Sequence, residues 1–348
     1  MYKYIRYTLP LMLVALLSTG CEDYLNINED TNRVTEVDLA SLLPAVQLNL
    51  ANSHYSLAFS TGQVTQQTGS YFNYIEEGTL RLGGAWSTIY LRVLQNARVL
   101  DAQAVELASP HYGGVAKFIQ AYSLLLLTDH WESVPWTEAF QGSETLNPTF
   151  DNQEFLYGEV VRLADEAIVS LGAEESVFSP SDDDLIYAGD LSLWIKATFA
   201  LKARAAIHLV NKDNRFATEA LEAAGSAFES VEEDFQYIYN SVVRNPWHTD
   251  VALANNTGNF SVTFSSYSIN LMNGTIYEGL VDPRMPIIAS LDEEGAPYVG
   301  IESFTEDSPA PTVNFQEQSW HSRETSPIEM MTFAEMKFIE AEAQLKLG

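Results

Sequence analysis

Asp182, Asp183 and Asp184 form the densest group of side chains that could carry acid–base chemistry. A glycosidase needs two carboxylates about 5–9 Å apart, one of them kept protonated by an apolar wall. The three aspartates lie in a Ser/Pro loop without such a wall, and Glu340 and Glu342 belong to a helix surface. Histidines at 54, 111, 130, 208, 248 and 321 are scattered, and the one short spacing, His248-x-Asp250, is a poor zinc signature. Residues 182–184 could supply oxygens to calcium, although solvent exposure accounts for them equally well and no specific calcium motif is present. Glycine-rich phosphate loops and a Gly-x-Ser-x-Gly elbow are absent. The sequence therefore reads as a non-enzyme with no cofactor and no metal site.

Binding chemistry is better represented. Gln63, Gln66, Gln67, Tyr71, Phe72 and Tyr74 crowd one stretch without helical period. A second stretch carries Asn240, Asn245, Asn255, Asn256, Asn259, Asn270 and Asn273 among Trp247, Phe260, Phe264, Tyr267 and Tyr277. Flat rings beside fixed amides suit carbohydrate or peptide, while the same rings could simply cover the ends of helix pairs. If a groove exists, segments 63–86 and 240–277 should build it, with Trp320 contributing later. Tyr71, Tyr74, Trp247, Tyr267 and Trp320 are the expected ring contacts, and Gln67, Asn270 and Asn273 the expected polar ones. Trp86 and Trp194 fall on periodic faces and are assigned to the core. In Asp282-Pro-Arg284, Arg284 is expected to pin its loop.

These stretches need a rigid frame. Val115, Phe118, Ile119, Tyr122 and Leu126 mark a core helix that Pro135 ends, with Trp131 and Trp136 at the bend. Helices are also expected over Asp38–Ser53, over Trp86–Glu106 after a break at Gly83-Gly84, and up to Leu171 from a capping box at Asp151–Glu154. Ser109-Pro110-His111 should close the second of these. Further helices follow Asp190, with Phe216–Phe228 as a partner, and Thr332, the last with an apolar stripe of Ala334, Phe338, Ala341 and Leu345. Short links between long amphipathic helices give antiparallel pairs, so the fold class is mostly α, a tetratricopeptide-like α/α superhelix. Residues 236–326, rich in Asn, Pro and aromatics, form an inserted loop-rich region, and such length without period usually has a task.

With 348 residues, 46% of them apolar, the chain is long and apolar enough to bury a core. Acidic residues outnumber basic ones 47 to 18, a formal charge of −29. That surface repels phosphate backbones and anionic headgroups, which excludes nucleic acid and an electrostatic membrane contact. The opening MYKYIRYTLPLMLVALLSTGC has a basic start, a short apolar run and the chain's single cysteine, Cys21. The run falls short of the roughly 20 residues needed to span a bilayer and reads as a secretory signal over 1–20, leaving Cys21 free for lipid attachment.

Five segments in order carry a resemblance. They are Cys21-Glu-Asp-Tyr-Leu-Asn-Ile-Asn with Asp30-Thr-Asn32, Trp86–Ala97, the helix running into Leu127-x-Asp129-x-Trp131-x-x-Val134-Pro135-Trp136, Asp190–Leu209, and Glu335–Ala343. Together they resemble the SusD/RagB family of nutrient-binding lipoproteins, in particular its shorter SusD-like branch. The third resembles the family's aromatic-Gly-x-Val-Pro segment, and L-S-T-G-C resembles a lipobox, followed by the acidic pair Glu22-Asp23. The resemblance implies a single SusD-like domain over 21–348, with helix pairs in 38–235 and 327–348 and a ligand face in 236–326. It also implies a further carboxy-terminal portion. The implied protein is lipid-anchored at Cys21 on the extracellular side of the outer membrane. There it would bind an oligosaccharide or peptide and deliver it to a SusC-like TonB-dependent transporter. A helical scaffold that binds only a protein partner is the alternative.

Overall fold

A computed structural model describes residues 38–71, 76–291, 293–302 and 310–348. The expected leader over 1–20 and the expected sites Cys21 and Tyr74 lie outside the described residues. Helix α1 spans Leu39–Val64, well past the Ser53 end expected from periodicity. Its second half is rich in serine and threonine, which ordinarily compete with the helix. Here the hydroxyls of Ser53, Ser56, Ser60, Thr61 and Thr65 each donate to the carbonyl four residues back, so they are satisfied within the helix itself. Leu57 and Phe59, spaced as in a strand, are both buried because α1 is covered on more than one side.

After β1 (Thr68–Ser70) the chain forms α2 (Glu76–Thr88), a π-helical segment (Ile89–Leu94) and α3 (Gln95–Glu106) as one continuous rod. Gly83 and Gly84 do not break it, contrary to expectation, although each costs about 1 kcal/mol against alanine. The extra residue of the π segment buries Ile89, Val93 and Leu94 together. Pro110 opens the next helix rather than closing the previous one, since its missing N–H costs nothing at a first helical position.

That helix, α4 (Pro110–Trp131), is buried almost all round, as the run Leu124–Leu127 indicated. Its bend is held by β2 (Val134–Pro135) pairing with β3 (Phe150–Asp151). Asp151 was expected to cap the helix after it, but its carboxylate accepts the N–H groups of Trp136 and Thr137, both at 2.9 Å. Asn152 is the cap instead, accepting from Phe155 N–H, and α5 runs Gln153–Leu171. Gly114 lets α4 and α5 touch, because a Cβ there would lie 2.6 Å from Leu171 Cγ.

Asp190 caps α6 (Leu191–His208), accepting from Ser192 and Leu193 N–H. Helix α7 (Arg215–Ala224) packs on it. Each long helix thus packs on the next in sequence, and the last helix returns to α6 and α7. Trp194 is fully buried as expected, with Phe118 and Tyr187 edge-on at 5.2 and 5.1 Å.

The loop-rich region leaves the helices after β4 (Phe235–Ile238), which pairs with β8 (Pro327–Met331) at the region's other end. Between them lie β5 (Val262–Phe264), α8 (Ser266–Met272) and the pair β6 (Ala289–Leu291) and β7 (Val313–Phe315). The final helix is α9 (Phe333–Leu347), capped by Thr332. Its buried residues are Met336, Ile339 and Ala343, whereas Phe338 and Leu345 are 78% and 82% exposed. The expected stripe is therefore the outer face of the helix. Packing against α7 and α6 selected the other side, where Glu335 meets Arg204 in a two-pronged ion pair with both contacts at 2.6 Å. Arg204 also donates to Met330 O, joining α6, β8 and α9.

Candidate functional site

Antiparallel pairing of β1 with β5 brings the two ring-and-amide stretches together. Tyr71 N–H donates to Ser261 O, and its ring lies 4.8 Å from that of Phe260, which is half exposed. The Gln67 carbonyl accepts from Ser265 N–H and Ser268 Oγ, leaving its own side chain exposed at the start of α8. Tyr267, 51% exposed, and Asn270 stand one turn apart on α8, and Asn273 Nδ2 donates to Asn270 Oδ1 at 3.2 Å. Gln67, Tyr71, Tyr267, Asn270 and Asn273 are thus gathered around one short strand pair and the helix it leads into. Below α8 opens a shallow cleft of about 680 Å³, walled by Leu271, Met272, Tyr277 and Leu280.

Trp320 and Trp247 stand apart from this group. Trp320 is 51% exposed in a separate loop, its ring against His321. Trp247 was expected to offer its ring to ligand, but it is stacked on Phe315 at 5.6 Å and met edge-on by Tyr55 at 5.0 Å, with Phe59 at 6.2 Å. Phe315 stacks in turn on Phe264 at 4.5 Å. The Trp247 ring therefore joins α1 to the loop-rich region through packing.

Of the asparagines expected on this surface, Asn240, Asn256 and Asn259 are exposed, whereas Asn245 and Asn255 are internal. Asn245 is fully buried, accepting from Trp247 N–H and donating to Ser326 O. Asn255 donates to Val262 O and Asn314 Oδ1 and accepts from Ser261 N–H. Irregular backbone leaves amides and carbonyls without ladder partners, and these side chains supply them.

The polar groups weighed for catalysis or calcium are also structural. Asp184 is 2% exposed and its carboxylate accepts from Gln47 Nε2, Trp194 Nε1 and the N–H groups of Ile186, Tyr187 and Gly189. Asp183 accepts from Tyr112 O–H and from Ser181. The solvated reading thus fails for Asp184, whose carboxylate sits in a buried knot of donors, and holds for Asp182, which is exposed. Among the described residues no group of three or more His, Cys, Asp or Glu is placed to hold a metal. Arg284 pins its loop as expected, with Nη2 at 2.6 Å from Asp282, whose carboxyl the guanidinium holds down to about 2.

Trp86 is half-buried, not core, and with Tyr90, Phe140 and Pro135 it lines a cleft of about 420 Å³. Trp131 stands edge-on to it at 5.1 Å. The periodicity that placed Trp86 on a helix face could not show that the face meets a bend rather than another helix.

Against known proteins, the family described as "SusD-like_2: Starch-binding associating with outer membrane" matches residues 31–346. Among solved structures, a SusD/RagB family protein from Bacteroides thetaiotaomicron is similar at 22% identity and a TM-score of 0.73, over 90% of this chain and 68% of that one. A chitin-binding SusD homolog from Flavobacterium johnsoniae is similar at 16% identity and a TM-score of 0.71, over 88% and 66%. A SusD homolog from Bacteroides uniformis gives 17% and 0.68, over 88% and 66%. The chain thus spans about two thirds of the length of these structures, and the likeness shows the fold. None of the curated proteins compared with the chain matches it.

Proposed function

This chain belongs to the SusD-like family, whose description is starch-binding and associating with the outer membrane, and on that premise we propose that it is a non-catalytic receptor for a glycan nutrient. The observation that carries the reading is the strand pair β1–β5, which puts Tyr71 and Phe260 at one end and Gln67 with the exposed face of α8 at the other, four residues of strand or roughly 13 Å away. Sugar rings present flat C–H faces and a rim of hydroxyls, and half-exposed aromatic rings with side-chain amides at the same surface answer both. Tyr71, Tyr267, Gln67, Asn270 and Asn273 are the proposed contacts, with Trp320 at the margin. Tyr74 stays in the set from its place in the sequence. Trp247 is withdrawn from it because its ring is engaged in packing.

In the same proposal Cys21 carries the lipid and holds the protein on the outer face of the outer membrane. The bound glycan passes to a SusC-like TonB-dependent transporter. Among the described residues no helix is long and apolar enough to cross a membrane.

The test is affinity electrophoresis of the natural protein through gels containing neutral polysaccharides. Retardation by one of them, reduced by Tyr71→Ala and Tyr267→Ala with unfolding unchanged, supports the reading. Retention by none, with a non-transporter protein as the sole partner copurifying in mild detergent, overturns it in favour of a scaffold. Cys21→Ser should release the protein from the membrane fraction, and fatty-acid label persisting in that variant would remove the anchor.

A further inference from the structure

Helices α5, α6 and α7 enclose a groove of about 560 Å³ that glycan binding at α8 leaves unused. Its floor is Ala205, Ala206 and Ala223, small residues where larger ones would fill the space, and its walls include the half-buried rings of Phe199 and Phe216. The nearby cations are already engaged. Lys202 Nζ lies 2.5 Å from Asp165, and Arg215 lies 3.8 Å from Asp213 and over the Phe216 ring. Glu219 and Glu222, by contrast, line the groove from successive turns of α7, and both are exposed, their carboxylates without a hydrogen-bond or ion-pair partner among the described residues.

We propose that this groove docks a basic segment of a partner protein, which seats a bulky apolar side chain over the alanine floor and sets lysine or arginine against Glu219 and Glu222. Charge complementarity selects that occupant. A second copy of this chain, at a formal −29, would bring mostly like charge to the rim. A neutral glycan would find few free polar groups, since the Tyr157 hydroxyl, at one end of the groove, is committed to Asp129 at 2.5 Å and lies 3.1 Å from His208. An apolar anchor ringed by opposite charge is the ordinary construction of a peptide-binding helical groove. This inference does not depend on the glycan reading, because it concerns another face and another readout.

The probe is a labelled twelve-residue amphipathic peptide with leucine at helical spacing and lysine elsewhere, titrated with the natural protein and followed by fluorescence anisotropy. Saturable 1:1 binding is expected, with loss when leucine is replaced by alanine. Glu219→Lys with Glu222→Lys should weaken it by about tenfold or more, the scale of two close charge reversals. Glu106→Lys with Glu175→Lys makes the same change in net charge on exposed residues outside the groove and should leave affinity nearly unchanged. Circular dichroism and urea unfolding of both pairs establish that the variants fold. No binding, equal weakening by both pairs, equal binding of the alanine peptide, or self-association through the groove by light scattering would each overturn the proposal.

Discussion

Replacing Asp184 with alanine should destabilise the protein more than any surface change, and the structure sets the scale. The carboxylate is 2% exposed and accepts from five donors, which are Gln47 Nε2 at 2.6 Å, Trp194 Nε1 at 2.7 Å and three backbone N–H groups between 3.0 and 3.3 Å. Each donor left buried and unpaired costs about 1–3 kcal/mol, and water entering the space vacated by the carboxylate recovers part of the total. A net loss of about 3–5 kcal/mol is expected, as for the breaking of a buried hydrogen-bond network whose neutral donors are left unpaired. Asp184→Asn keeps one acceptor but turns an amide N–H₂ toward donors, so it should recover only a minority of that loss. The assay is urea unfolding followed by tryptophan fluorescence, which also reports on Trp194. Gln47→Leu in the Asp184→Ala background should cost less than Gln47→Leu alone, since one orphaned donor disappears. A loss below about 1 kcal/mol for Asp184→Ala would mean that the knot is not a stabilising centre.

Burial holds His54 down at about 3, with Arg204 and His130 adding to the effect, and holds His321 at about 4. In the unfolded chain both titrate near the ordinary 6.5, so the unfolded state binds more protons between these limits. Their contribution is complete above pH 6.5 and is lost as pH falls toward 4 and 3, and the acid slope of urea midpoints should flatten in His54→Gln and His321→Gln. An unchanged slope in both would contradict the assignment. Trp247→Ala should cost about 3–5 kcal/mol, as for a packed ring, and glycan retardation at normal temperature should persist in whatever fraction stays folded. Specific loss of retardation from a fully stable variant would return Trp247 to the site. Glu132, at φ 64° and ψ −82°, occupies backbone that glycine adopts freely, at the position of the glycine in the family's aromatic-Gly-x-Val-Pro segment. Glu132→Gly should therefore stabilise by about 1 kcal/mol, and a lower urea midpoint would refute the strain.

The helical frame was legible wherever a helix buries one clear face, as with α4, α5 and α6. It was misread where tertiary packing supplies what local pattern lacks. The serine-rich half of α1 has no amphipathic period and needs none, because its neighbours bury it on several sides. Helix α9 offers two apolar faces to a sequence reader, and nothing local decides between Phe338 and Ile339. The choice lies in Arg204, far away in sequence, reaching Glu335. The same limit governs the candidate site. Tyr71 and Tyr267 could be picked out as rings in unperiodic segments, but only the β1–β5 pairing shows that they flank the two ends of one short strand pair. Asn245 and Asn255 have the composition of a wet surface and act as inner scaffolding. Side-chain type alone cannot distinguish an amide turned toward water from one turned toward an orphaned carbonyl.

Pairing of β4 with β8 gives the loop-rich region a narrow neck, with its two ends one strand spacing apart, about 4.8 Å. The closure entropy of whatever hangs from that neck grows only with the logarithm of its length, about 0.6 kcal/mol for each doubling. Insertions or deletions in the loops between Tyr239 and Ser326 should therefore perturb the helices little, and this region can change its length while the helical frame stands still. The freedom has two tethers, the Trp247 ring on Tyr55 and Phe59 and the strand Val262–Phe264 on Thr68–Ser70. The region is in that sense a replaceable head on a fixed body, and a head transplanted from another chain would have to bring both fastenings with it.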